Sequence, residues 1–429
     1  MSISNRVRFA LIFVVINLHV LINLSPILYL TIYGLAVANL IVDYLSKRRD
    51  RRSQVATGLF NIWIVIAIFG FLTSLTLISP MGASLGLVRF LFTAPLFLAL
   101  VLYTENITEL RHHIQTFVGF FALASLTIPL QFFIGPISWF AESSQRNGFE
   151  RYSSILGNLT AIGITVGSYV VLSRETAPAR RWLWLILMIL PAIISLDKAA
   201  IANIALGLLL LLFLNRRSLS KMAIPIIAVS GLIGWAYAIL PVVQQRIASP
   251  LLSFGIGTAA SAGIAQPDDV TVTTSIWDRL FSLPQANFDA LANLHSPLVY
   301  LTGGGFGMGN TALVPTADVL APMAHNQFAE SVTVFGILGG GVQIIAILLV
   351  AFRLARRTKT TGGSTVTTIL FAYVIVLVNS VFANGTLYEP ASASIFYLAL
   401  FASSTKIFKT DPDFTGDNLA LGKRASQSP

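Results

Sequence analysis

Long apolar runs separated by short polar breaks dominate the chain. A helix needs about 20 apolar residues to cross the hydrocarbon core of a bilayer, and by that measure about twelve runs qualify. They are 7–24, 27–45, 55–78, 86–103, 114–134, 154–173, 182–196, 199–214, 222–243, 331–352, 366–383 and 391–404. Pro191 and the charged pair Asp197–Lys198 mark the seventh and eighth as short and nearly continuous. The first run meets Pro26 and a second run at once, with no small-residue cleavage site, and so reads as a span rather than a removed leader. The pattern predicts an all-α polytopic membrane protein of about twelve transmembrane helices, because only intrasegment hydrogen bonding satisfies a backbone in lipid.

The polar breaks are unequal. Most are turns, but 135–153 and 244–330 are long, and a structureless connection of the latter length is unusual. Short helices are therefore expected within 244–330. The stretch 276–294 reads as an amphipathic helix interrupted at Pro284, with Trp277, Leu280, Phe281, Phe288 and Leu291 placed for a membrane surface. Residues 1–405 form the expected membrane domain and 406–429 a polar tail.

Composition agrees with the pattern. The chain is 55% hydrophobic and 11% charged, and its mean hydropathy is +0.77, whereas soluble domains carry roughly 25% charged residues. The net charge of +10 would suggest nucleic acid in a soluble protein. Here it has another cause. With a cytoplasmic N-terminus and strict alternation of spans, 22 of the 28 Lys and Arg residues fall on the cytoplasmic side, as the positive-inside rule requires. Both termini are then expected in the cytoplasm, and 244–330 on the outside. No nucleic-acid partner is implied. The chain has no cysteine, which excludes disulfides and thiolate metal sites.

The six cations on the minority side are Arg89, Arg146, Arg151, Lys198, Arg246 and Arg279. Each has a bland reading: Arg89 and the Arg146–Arg151 pair as headgroup anchors, Lys198 paired with Asp197, Arg279 paired with Asp278 or Asp289. Several guanidinium and ammonium groups facing one outward cavity suggest recognition of a diphosphate. His325 stands in Ala-His-Asn-Gln-Phe-Ala-Glu-Ser immediately before the tenth run, behind a glycine run over 303–309. It reads either as a catalytic histidine or as a cap on the following helix. The glycines allow a backbone to approach a ligand closely, but lack both the P-loop lysine and the dinucleotide spacing. Asp411-Pro-Asp413 and Asp268–Asp269 have no other ligands beside them, so no metal site and no cofactor is expected.

Taken in order, these features resemble the O-antigen ligase and O-antigen polymerase family of polytopic glycosyltransferases. The resemblance rests on Arg146-Asn-Gly-Phe followed by Gly157-Asn158; on Ser195-Leu-Asp-Lys198-Ala-Ala, where family members commonly carry Ser-Arg-Gly-Ala; on a long outward loop with a central arginine, here Arg279; and on Gly-Gly-Gly-Phe-Gly followed by His325-Asn326, a Glu and Phe-Gly-Ile-Leu-Gly-Gly. It covers about 135–352. Arg146–Gly157 and Arg246–Gly257 also repeat an Arg–Gly spacing found in some polymerases of this kind. Lysine at 198 departs from the family's usual arginine and lacks its planar fork.

The resemblance implies a GT-C-type helical bundle in the bacterial inner membrane, with its active site facing outward. It implies metal-independent transfer of a glycan from a polyprenyl-diphosphate donor to a sugar hydroxyl. Arg279, Lys198 and Arg146 would bind the diphosphate, and His325 would act at the acceptor, with Glu330 and Asp318 as the next candidates for its proton. The expected partners are the lipid-linked donor, the acceptor sugar, the bilayer and other polysaccharide export components. Polymerisation of O-antigen or exopolysaccharide repeats is the favoured reaction. The alternatives are ligation to lipid A-core and, in a different class, a flippase or transporter of lipid-linked sugars.

Overall fold

The computed structural model describes residues 3–51, 55–140, 144–146, 149–157, 159–194, 198–214, 278–308, 314–321, 324–361, 364–383 and 387–409. The expected ninth run (222–243), Arg246, Gly257, Asp268–Asp269, Trp277, the Asp197 partner of Lys198 and most of the tail, Asp411–Asp413 included, lie outside these residues. The described part is helical apart from one short hairpin. In chain order the helices are α1 (Ile3–Asn17), α2 (Pro26–Arg51), α3 (Gly58–Ser74), α4 (Pro80–Leu91), α5 (Pro95–Tyr103), α6 (Ile107–Ser125), α7 (Thr127–Ile134), α8 (Leu159–Leu172), α9 (Pro178–Ile194) and α10 (Lys198–Leu214). After these come α11 (Leu283–Ala292), α12 (Leu298–Thr302), α13 (Gln327–Thr361), α14 (Ser364–Ser380) and α15 (Pro390–Ser404). Strands β1 (Ser144–Arg146) and β2 (Phe149–Arg151) pair antiparallel.

Among the described residues, four segments are long and apolar enough to cross a membrane: Pro26–Ser46, Pro80–Tyr103, Ile107–Gln131 and Gln327–Lys359. Shorter apolar helices lie over Gly58–Ser74, Ala199–Leu214, Ser364–Ser380 and Pro390–Ser404. Exposed Leu, Ile, Val and Phe side chains stud α2, α9 and α13, among them Leu35, Ile186, Leu348 and Phe352. Water would penalise that surface and hydrocarbon tolerates it, so the protein is a membrane protein.

Local chemistry sets the helix boundaries. Ser79 caps α4 by accepting from the Gly82 amide, and Pro80 follows at its first position. Asn106 caps α6 through the Glu109 amide at 3.0 Å, and the Glu109 carboxylate returns to the Glu105 amide. The fourth apolar run, read from sequence as 86–103, thus starts at Pro80 and is broken near Pro95 into α4 and α5. A missing proline N–H ends one ladder and starts the next.

Lipid is as apolar as leucine, so close packing and interhelical hydrogen bonds hold such helices together. Helices α8 and α10 approach most closely where Gly163-x-x-x-Gly167 faces Asn203 and Gly207; a Cβ on Gly167 would collide with the Asn203 carbonyl. Asn203 and Asn379 of α14 exchange amide hydrogen bonds at 3.0 and 2.9 Å, and each donates again to a carbonyl of α8, Gly163 or Ile164. At the centre lies α15, every residue of which is buried. Tyr169 of α8 donates to its Ala391 carbonyl, and Asn17 of α1 to its Ser394 hydroxyl.

The chain alternates between two ends of this bundle. One holds the cations that the sequence assigns to the cytoplasm. There Arg8 pairs with Asp43, Arg111 with Glu175, and Arg357 donates to the Ala402 and Thr405 carbonyls. The bridge between Val55 and Thr405 closes the same end. The opposite end gathers the described residues that follow α1, α3, α7 and α14, together with 278–308, 314–321 and 324–326.

Candidate functional site

Arg279 lies in a short π-helical turn, Asp278–Ser282, that runs directly into α11. The expected interruption lies at Pro284: the π-helical turn ends at Ser282, and the proline occupies the first turn of α11. One face of α11 is packed into protein, with Leu291 only 1% exposed, while Phe281 and Phe288 are 51% and 37% exposed. Of the five residues expected at a membrane surface, Leu291 thus belongs to the core. The Arg279 guanidinium is part-buried and donates from Nη1 to the Phe382 carbonyl at 3.1 Å, just beyond α14.

His325 sits one residue before the cap of α13. The cap is Asn326, whose Oδ1 accepts from the Phe328 and Ala329 amides at 3.0 and 3.2 Å. The alternative reading of His325 as the cap is therefore wrong: the neighbouring residue does that work. His325 holds a left-handed backbone conformation, φ 49°. Outside glycine and Asn this is uncommon, and non-glycine residues held there cluster at functional sites. Its ring is half-buried. Burial, and secondarily the charge of Arg279, hold its pKa below the ordinary 6.5. The imidazole is thus neutral at neutral pH.

The connection after α14 joins these two residues. Arg279 binds the Phe382 carbonyl, and the next carbonyl, Ala383, accepts from the Gln327 amide at 3.1 Å, two residues past His325. The Gln327 side chain then donates to the Tyr388 hydroxyl at 3.0 Å. Sequence reading found Arg279 and His325 but not the segment that ties them together.

Lys198 is the first residue of α10, and Asn203, a turn and a half further on, meets Asn379 just before the same connection. Arg146 and Arg151 lie in the β-hairpin, whose register pairs Arg146 with Phe149 and Ser144 with Arg151. The structure describes the backbone of these three cations, and places the hairpin before α8 at the same end. Gly157 follows in a turn closed by Ser154, packed against the ring of His19. His19 is not inside the first helix: α1 stops at Asn17, and His19 opens a 3₁₀ turn.

Two further expectations need correction. The described part of the glycine run, 303–308, does not line an open site. Gly303 and Gly336 press backbone against backbone, both with positive φ; a Cβ on either would strike the other's main chain. The Gly304 and Gly305 amides donate to the Thr333 and Val334 carbonyls, each at 2.9 Å. Gly336 breaks the helical geometry of α13, and the run 303–305 satisfies the carbonyls that the break frees. These glycines are a joint between the loop and α13. Neither Asp318 nor Glu330 is placed to take a proton from a substrate. Asp318 accepts from the Ser79 amide and hydroxyl at 3.2 and 2.9 Å, and Glu330 is fully buried beneath Tyr388.

Sequence reasoning missed Glu389, which stands just before Pro390 at the start of α15. Its signal was available: it is the only acid between Glu330 and Asp411. Burial pushes its carboxyl up to about 7. Among the described residues no group of three His, Cys, Asp or Glu side chains is arranged to hold a metal ion. No protein-family model matches the chain, and no curated protein does.

Proposed function

We propose that this protein is a GT-C-type membrane glycosyltransferase of about twelve spans that joins glycan units at the non-cytoplasmic face of a bacterial inner membrane. Its donor is a glycan on a polyprenyl diphosphate, and its acceptor a sugar hydroxyl. The favoured reaction is polymerisation of O-antigen or exopolysaccharide repeats, with both termini in the cytoplasm. The observation that carries the reading is the meeting of Arg279 and His325 across residues 382–383 at the end opposite the clustered cations.

The chemistry follows from those two residues. The acceptor oxygen forms a bond to the sugar's anomeric carbon as the bond from that carbon to the diphosphate breaks. The electron pair leaves on the diphosphate, and the hydroxyl proton passes to a base. Arg279 presents a planar fork to the developing anion, with Lys198 and Arg146 on elements of the same end. His325, kept neutral, has a free ring nitrogen for the acceptor hydroxyl.

A labelling experiment tests the placement. The chain has no cysteine, so single cysteines at Asn293 and Lys359, both exposed, report cleanly. An impermeant maleimide applied to intact cells is expected to label Asn293→Cys and spare Lys359→Cys. The reverse pattern would place Arg279 and His325 on the cytoplasmic side and end the proposal.

A further inference from the structure

No Asp, Glu, Lys or Arg stands between Asp289 and Asp318, although this stretch belongs to the longest polar break of the chain. Its described part reaches inward. Phe306 is fully buried, its ring 5.8 Å from that of Phe90 in α4 and 6.0 Å, edge-on, from that of Phe335. A Cβ on Gly86 of α4 would strike the same ring. Gly86 and Phe90 lie roughly 9 and 15 Å along α4 from Pro80, at 1.5 Å per residue. The chain thus dips from the end of the bundle toward membrane depth, where irregular backbone is tolerated only if protein satisfies it. Protein does so here: the Phe306 amide donates to the Ser74 hydroxyl at 2.7 Å, and the Gly304 and Gly305 amides donate to α13 carbonyls.

Helix α12 leads into that insertion. Of its five residues only Val299 is buried, while Leu298, Tyr300 and Leu301 are 64%, 46% and 44% exposed. A helix this short does not hold itself in water. It meets the spanning part of α13 at Gly336, where a Cβ would strike the Leu301 carbonyl. The next two residues, Ile337 and Leu338, are exposed, and Ile345 and Leu348 continue that exposed apolar face at helical spacing. Lipid must cover this face of a spanning helix. Leu298 and Leu301 therefore extend an existing lipid contact rather than standing alone on a wet loop. We infer that α12 is a membrane anchor, lying in the interface of the leaflet at this end of the bundle. Leu298 and Leu301 enter the upper acyl chains, and Tyr300 sits among the headgroups, where tyrosine is favoured. The partner is bilayer lipid, and the contact fixes the depth of the joint between Gly303 and Gly336. Neither a transfer reaction nor a particular side of the membrane is needed for it.

The cysteine-free chain allows a direct depth measurement. In the full chain, single cysteines replace Leu298, Tyr300 and Leu301, with Asn293→Cys as the wet reference and Ile345→Cys as the deep one. All five positions are exposed, so a nitroxide on each leaves the packing intact. In nanodiscs of phosphatidylcholine and phosphatidylglycerol, power saturation with oxygen and with a water-soluble nickel chelate gives the depth of each label. Leu298→Cys and Leu301→Cys are expected about 5–10 Å into the headgroup and acyl boundary, between the two references, with Tyr300→Cys shallower. Labels at 298 and 301 that meet nickel as freely as Asn293→Cys does would put α12 in water and overturn the anchor. Labels shielded from both oxygen and nickel, or broadened by a second label, would also overturn it and place another copy of the chain on this face.

Discussion

At the end of the bundle that carries Arg8, Arg111 and Arg357, cations are fastened to the frame. Arg8 is bound to Asp43, which also accepts from Tyr103 at 2.7 Å; Arg111 reaches Thr365 and Glu175; Arg174 reaches Thr368; Arg357 closes the carbonyls that end α15. At the opposite end Arg279 donates to a connecting carbonyl, and a neutral histidine in a left-handed conformation lies along the same connection. The first arrangement uses charge to finish helices. The second sets charge against a connecting segment. A minority-side cation is informative less for its charge than for what the frame does with it.

The largest effect should come from His325→Asn. Asn tolerates the left-handed backbone at that position, and the helix keeps its own cap at Asn326, so abundance should stay normal. Loss of a proton-handling or positioning imidazole should lower turnover by about a hundredfold to ten-thousandfold, read as polymer formation per mole of protein. Near-normal turnover would remove His325 from the chemistry.

Arg279→Ala should cost at least roughly tenfold in turnover, from a charge-assisted contact worth roughly 1.5–3 kcal/mol. Arg279→Lys should rescue it poorly, because one ammonium cannot replace a fork. The same change has a pH signature. Burial and Arg279 hold the His325 pKa below 6.5, so the neutral ring persists into acid. Removing the guanidinium raises that pKa, and the residual activity of Arg279→Ala should fade at a higher pH than that of wild type as the medium is acidified. An unmoved acid limb would separate the two residues.

At the other end, Arg357→Ala should act on stability instead. It abandons the carbonyls of Ala402 and Thr405, which predicts a loss of about 1–3 kcal/mol, seen as a lower melting temperature in detergent. Turnover per folded molecule should stay unchanged; a selective loss of turnover would erase the contrast between the ends. The smallest effect is expected from Lys198→Arg, which keeps the charge and adds the fork usual in the resembled family. It should be tolerated or slightly faster, within about threefold.

Much of this was legible in the chain. Hydropathy marked the chain as a membrane protein of apolar helices, because lipid punishes any polar backbone left unpaired. Arg279 and His325 stood out because each breaks the charge bias or punctuates it. What did not show was how residues far apart in sequence use one another. The glycines of 303–305 read as a ligand loop, yet their partner is the break at Gly336, about thirty residues on. The cap of α13 and the histidine beside it were hard to separate from their letters alone. Glu389 looked like one acid before a proline, and the burial that raises its carboxyl does not show in the letters.

The most direct measurement follows one donor molecule. The purified protein, in nanodiscs with a chelator present, is given a polyprenyl-diphosphate-linked oligosaccharide and an acceptor of the same repeat, and both the glycan and the lipid are quantified. The account predicts one extended glycan for each polyprenyl diphosphate released, with release at least about a hundredfold slower in His325→Asn and at least roughly tenfold slower in Arg279→Ala. An intact donor, or a donor that crosses the bilayer of a proteoliposome without losing its glycan, would contradict it and point to a transporter instead.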